Sequence, residues 1–89
     1  MEVFTYQTSP LVCSEKIEIG IENGIVKKAV FSGGCHGNLQ GISRLVKDRS
    51  VSEVISLLKG IHCNGKTTSC PDQLATALEQ FNNGDFKVR

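Results

Sequence analysis

Cys13-Ser14-Glu15-Lys16-Ile17-Glu18-Ile19-Gly20-Ile21-Glu22-Asn23-Gly24-Ile25-Val26-Lys27-Lys28-Ala29-Val30-Phe31 is the stretch that decides the fold. In its first half Cys13, Glu15, Ile17, Ile19 and Ile21 alternate with Ser14, Lys16, Glu18, Gly20 and Glu22. That is the period of a strand with one face buried, and it puts Cys13 at the strand's start, on the apolar face. Asn23-Gly24 then supplies the two left-handed positions of a tight turn, the strongest short hairpin signal. Ile25 to Phe31 returns as the partner strand.

Working outward, Val3-Phe4-Thr5-Tyr6 forms a third short strand that ends before Pro10. After the hairpin, Gly33-Gly34-Cys35-His36-Gly37-Asn38 breaks the extended chain. Asn38 is placed to cap a helix whose apolar positions are Leu39, Ile42, Leu45 and Val46, with Arg44, Lys47 and Asp48 on the wet side. Ser50-Val51-Ser52-Glu53 is a capping box. It opens a second helix with Val51, Val54, Ile55 and Leu58 inward, closed by Gly60. A loop carries His62, Cys63, Asn64 and Gly65. The last helix runs from Cys70 to about Phe81, with Leu74, Ala77, Leu78 and Phe81 as its stripe, and Asn83-Gly84 stops it. One α+β domain over residues 1–89 follows: a small antiparallel sheet of about three strands in one layer and three helices in the other.

At 89 residues the chain buries only roughly 60–65% of its unfolded surface, so a metal, a partner or a second copy would help it. Net charge is +1, the basic residues are scattered, there is no tryptophan and there is one tyrosine. A nucleic-acid surface needs a basic stripe, and none is present. No apolar run reaches the length of a membrane span. The N-terminal residues lack the basic flank and apolar core of a secretion signal. The expected compartment is therefore a reducing cytoplasm, where four cysteines read as ligands or reactive thiols before disulfides.

Cys70 lies in Thr68-Ser69-Cys70-Pro71-Asp72-Gln73-Leu74-Ala75. Ser69 is the N-cap, Pro71 fits the first turn, and Asp72 completes a capping box. The positive end of the helix dipole lies beside the sulfur and favours thiolate, the form that binds metals and attacks electrophiles. Cys13, Cys35 and Cys63 each adjoin a turn or an element end, so the topology allows all four sulfurs to converge. Six residues separate Cys63 from Cys70, and no C-x-x-C occurs. A zinc finger is thus excluded by spacing, leaving a site with ligands drawn from distant elements, for which soft thiolates select zinc, iron–sulfur clusters or Cu(I). His36 and His62 adjoin cysteines and are secondary ligand candidates, beside the plainer reading of both as solvated loop residues. A rival reading makes Cys70 a nucleophile, with His36 or His62 as base and Asp72 orienting it. In a third, the cysteines are small buried hydrophobes without chemistry. Gly33, Gly34 and Gly37 can let backbone N–H groups approach an anion or nucleotide phosphate. The lysine of a phosphate loop and its βαβ setting are missing.

The octet from Thr68 to Ala75, together with Phe31-Ser32-Gly33-Gly34-Cys35-His36-Gly37-Asn38, resembles the TSCPD domain family, named for the residues seen here at Thr68 to Asp72. Agreement runs from about Val12 to Leu78. The chain is similar to the small freestanding bacterial members, and related domains end cobalamin-dependent ribonucleotide reductases. The resemblance implies a cysteine-rich accessory domain linked to ribonucleotide reduction and DNA precursor synthesis. A reductase, or another protein, is the implied partner, and this chain is too short to be a complete enzyme. The bound metal is expected to be zinc ahead of an iron–sulfur cluster, held by Cys13, Cys35, Cys63 and Cys70. The alternative is a dithiol of Cys63 and Cys70, which can close only if their Cα atoms come within about 7 Å. The order of strands, Gly-Cys at a helix start and a cysteine opening the last helix also resembles U-type iron–sulfur scaffold proteins. Ser69 stands where those scaffolds carry a histidine.

Overall fold

In a computed structural model that describes residues 1–84, the chain forms strands β1 (Glu2–Gln7), β2 (Ser14–Glu22) and β3 (Ile25–Gly33). Helices α1 (His36–Val46), α2 (Val51–Leu58) and α3 (Cys70–Asn82) follow. The strands make an antiparallel sheet in the order β1-β2-β3, and the helices cover its apolar face, giving the expected α+β architecture. Asn23 and Gly24 turn the hairpin with φ of 51° and 75°, as a two-residue turn requires. No helix among the described residues is long and apolar enough to cross a membrane.

Two irregularities set which residues face the core. Ser14 pairs with Gly33 but Lys16 pairs with Ser32, so Glu15 is an extra residue in β2. Likewise Ile21 pairs with Val26 while Gly20 pairs with Lys28, which leaves Lys27 extra in β3. A bulge sets two residues against one and reverses the alternation beyond it. Ser14 and Ile17, three apart, are therefore both buried, as are Val26 and Ala29. The same bulge corrects the expected placement of Cys13. It lies before the strand and is exposed, while Ser14 takes the inward position.

The core joins Phe4, Ile17, Ile19 and Ile21 of the sheet to Val54, Leu74, Ala77 and Leu78 of the helices. Phe81, near the end of α3, stacks on Phe4 with ring centroids 5.0 Å apart, which seats the helix over β1. In α2 the Ser50 hydroxyl accepts the Glu53 N–H, as its capping box requires. The start of α1 differs from expectation: its N-cap is Cys35, without a side-chain cap, and Asn38 lies inside the first turn. Leu45, expected inward, is 69% exposed, and Leu39 and Val46 take the burial with Ile42 packed beside them. Leu39, Ile42 and Val46 stand at spacings of three and four on one face of the helix, and Leu45 falls to the side of that row.

Candidate functional site

The octet that begins at Thr68 is a junction of hydrogen bonds at one end of the domain. Ser69 is the N-cap of α3; its hydroxyl accepts the Asp72 N–H at 3.2 Å and donates to the Ile61 carbonyl. Asp72 departs from the expected capping box, in which its carboxylate would turn back to the cap. Instead one oxygen accepts the Gly60 N–H at 2.7 Å and the other the Thr68 hydroxyl at 2.6 Å. Thr68 in turn accepts from the Gln73 amide at 3.0 Å, and Gln73 accepts the Ser9 N–H at 2.8 Å. Thr68, Ser69 and Gln73 are all buried, and no buried side-chain polar atom among the described residues lacks a partner. Buried polar groups stabilise a structure only when satisfied in this way. The octet thus fixes the start of α3 to the loop after α2 and to the loop after β1.

Cys70 is the buried cysteine of the four, 8% exposed, with Sγ 3.2 Å from Ser14 Oγ. Ser14 is held by its own carbonyl, which accepts the Thr8 hydroxyl at 2.6 Å. Next to it, Gly33 and Gly34 adopt φ of 81° and 79°. A Cβ on Gly34 would lie 2.8 Å from Leu39 Cδ1, 3.2 Å from Ser14 N and 3.4 Å from the Cys13 carbonyl carbon. Close approach of two backbones thus requires glycine at 34, irrespective of any anion. Gly37 belongs to α1 and has no positive φ, so the three glycines do not form one loop. Cys63 ties into the same end through its N–H, which donates to the Thr68 carbonyl at 3.2 Å.

The segments carrying the four cysteines therefore meet. Cys13 and Ser14 touch Gly34 beside Cys35, Ser14 touches Cys70, and Cys63 bonds to Thr68, two residues before Cys70. The side chains themselves are not drawn into one cluster. Among the described residues no group of three or more His, Cys, Asp or Glu side chains is placed to hold a metal ion. Cys13, Cys35 and Cys63 are exposed. His36 shares a hydrogen bond with Gln40, one turn on, at 3.0 Å, and His62 is exposed in its loop. Neither histidine is hydrogen-bonded to Cys70, and both oxygens of Asp72 are engaged elsewhere, so no nucleophile–base–carboxylate chain is assembled.

Sequence reasoning missed Ser14 and Gln73. Both look like ordinary surface polar residues in a strand and a helix. The signal that could have found Gln73 is its place three residues after Cys70, on the inward row with Leu74 and Ala77.

Near this end, burial holds the Tyr6 phenol in its protonated form above the usual 10.0, and the negative charge of Asp72 adds to the effect. Neither the curated proteins nor the solved structures contain a match to this chain. The U-type likeness is therefore without support beyond the shared α+β class. The TSCPD domain family model matches residues 2–82. That span is wider than the motifs suggest and takes in all three strands and all three helices. With its signature residues forming the junction that fixes the start of α3 to the loop after α2, the chain belongs to the TSCPD domain family.

Proposed function

We propose that the cysteine-bearing end of this domain is a thiolate site for a soft metal ion, zinc ahead of an iron–sulfur cluster, with Cys13, Cys35, Cys63 and Cys70 as ligands. One observation carries the reading: the segments bearing Cys13, Cys35 and the Cys63–Cys70 stretch, distant from one another in sequence, are in contact at a single end of the fold. The donor chemistry fits, since four thiols are the ligand set that soft metals take. The ligand geometry is not preassembled, because three of the thiols are exposed on turns and the group is not gathered. Binding therefore includes closure of the Cys63 loop and the Gly34–Cys35 turn onto Cys70. The metal would supply cross-linking of these segments, which a thin core of this size benefits from. Family resemblance extends the reading to an accessory role in ribonucleotide reduction, acting on a partner enzyme.

The test is elemental analysis of protein purified without oxygen, with thiol alkylation before and after a chelator. About one zinc per chain, with thiols that alkylate only after chelation, is the expected result. Cys35→Ser and Cys63→Ser should each lower the zinc content without unfolding the chain, since both side chains are exposed. Iron with sulfide in equal amount would replace zinc by a cluster. Metal-free protein whose exposed thiols alkylate at once would overturn the reading.

A further inference from the structure

Among the described residues β3 is an edge strand, and only its beginning is covered. The segment before α2 runs along that beginning: Val26 N–H donates to the Arg49 carbonyl at 2.9 Å, Asp48 N–H to the Val26 carbonyl at 2.8 Å, and Ile25 bridges Ser50. From Lys28 to Gly33 the described residues place no strand against the outer side. In an antiparallel strand, every second residue there presents its N–H and C=O outward.

That open stretch does not face bulk water alone. A groove of about 350 Å³ lies along it, between Ala29, Val30 and Phe31 on one wall and α1 on the other. The α1 wall is one helical row, His36, Leu39, Gln40, Ser43 and Arg44, at spacings of three and four. The floor is apolar, and Val30 is 51% exposed. Among the described residues the charge at the wall is of one sign, because Arg44 lines the groove and no Asp or Glu does. Arg44 takes part in none of the ion pairs among the described residues, unlike Arg49, which pairs with Glu53.

We infer that this groove takes an extended peptide segment of a partner protein, which adds a fourth strand to the sheet at β3. An acidic side chain of the peptide meets Arg44. Two requirements of strand addition coincide: an edge left open by the described residues, and a groove beside it, walled by a helix, that can take side chains of an added strand. The open edge of six residues spans about 20 Å, which sets the length of the segment at five to six residues. The carboxylate follows from charge complementarity, since Arg fork geometry favours paired oxygens. Gly33, Gly34 and His36 line the groove, so a bound segment would pass close to Cys35.

The probe is a random peptide library displayed on phage with free C-termini, selected on the intact protein and counter-selected on Arg44→Glu. The winning peptide is then titrated into isotope-labelled protein by NMR. The expected winners alternate apolar residues and carry an acidic side chain. Their saturable shifts should map to residues 28–33 and 36–44, and the outward amides of β3 should exchange more slowly. Arg44→Glu should weaken the peptide about tenfold, and Val30→Lys should weaken it as well. Both side chains are exposed, so circular dichroism should show an unchanged fold. Equal selection by the wild type and Arg44→Glu would overturn the inference, as would shifts confined to another face. Equal displacement by 1-naphthoate with no strand protection would reduce the site to one for a small anion and overturn it too. Concentration-dependent dimerisation through β3 would show that a second copy takes the edge, again contrary to the inference.

Discussion

Asp72→Ala should destabilise the domain by about 3 kcal/mol. The carboxylate accepts the Gly60 N–H at 2.7 Å and the Thr68 hydroxyl at 2.6 Å, and it lies in the first turn of α3. A hydrogen bond to a charged group contributes roughly 1.5–3 kcal/mol when buried, so the two bonds together are worth somewhat less than twice that. Asp72 is half-buried and Gly60 is exposed, which places the sum nearer the lower bound. The helix dipole adds a few tenths. A domain of this size has a total stability on the order of 5–10 kcal/mol, so the change is a large fraction of it. Thermal unfolding followed by circular dichroism should show Tm lower by roughly 15 °C. Asp72→Asn keeps an acceptor for Gly60 and should lose about a third as much. A double-mutant cycle with Thr68→Val should return a coupling of about 1–2 kcal/mol, because the two side chains share one bond. The loss should be the same with and without a chelator, since Asp72 acts here as a clamp. A loss below about 0.5 kcal/mol, with no coupling to Thr68, would refute the view that the octet is a structural junction.

Leu74 is fully buried against the sheet, so Leu74→Ala should cost roughly 2–5 kcal/mol in urea denaturation. Gly34→Ala meets both a positive φ and Leu39 Cδ1 at 2.8 Å, and should lower Tm by more than Gly60→Ala, whose Cβ would enter open space. Cys70→Ser should preserve the Ser14 contact, while Cys70→Val should leave the Ser14 hydroxyl short of a partner and lose about 1–2 kcal/mol, read by chemical denaturation of metal-free protein. The folded state holds the Tyr6 proton more tightly than the unfolded chain. Its contribution is therefore complete below pH 10 and is lost as pH rises through the higher folded value, so urea midpoints should fall above pH 10 more steeply in the wild type than in Tyr6→Phe.

Local chemistry was legible where a single stretch of chain suffices. The Asn23-Gly24 turn, the Ser50 and Ser69 caps and the apolar row of α3 each depend on residues within a few positions of one another, and all are present as the sequence implies. The α+β class follows from them, since a one-sided sheet and three striped helices have one economical packing. The family, too, was readable, because its signature is contiguous.

What tertiary structure decided lies in contacts between distant residues. Alternation alone put Cys13 inward and Ser14 outward; the extra residue at Glu15 reverses this. A bulge depends on what its partner strand and the layer beneath require, and no local pattern encodes it. The bond from Ser9 to Gln73 spans 64 positions and the Ser14–Cys70 contact 56. Those pairings give Gln73 and Cys70 their places, and the Gly60 N–H turns Asp72 from a cap's partner into a clamp on the loop after α2. The sequence by itself determined that a thiol opens the last helix. Only the packing of that helix against the bulged strand determined that this thiol is buried while the other three remain at the surface around it.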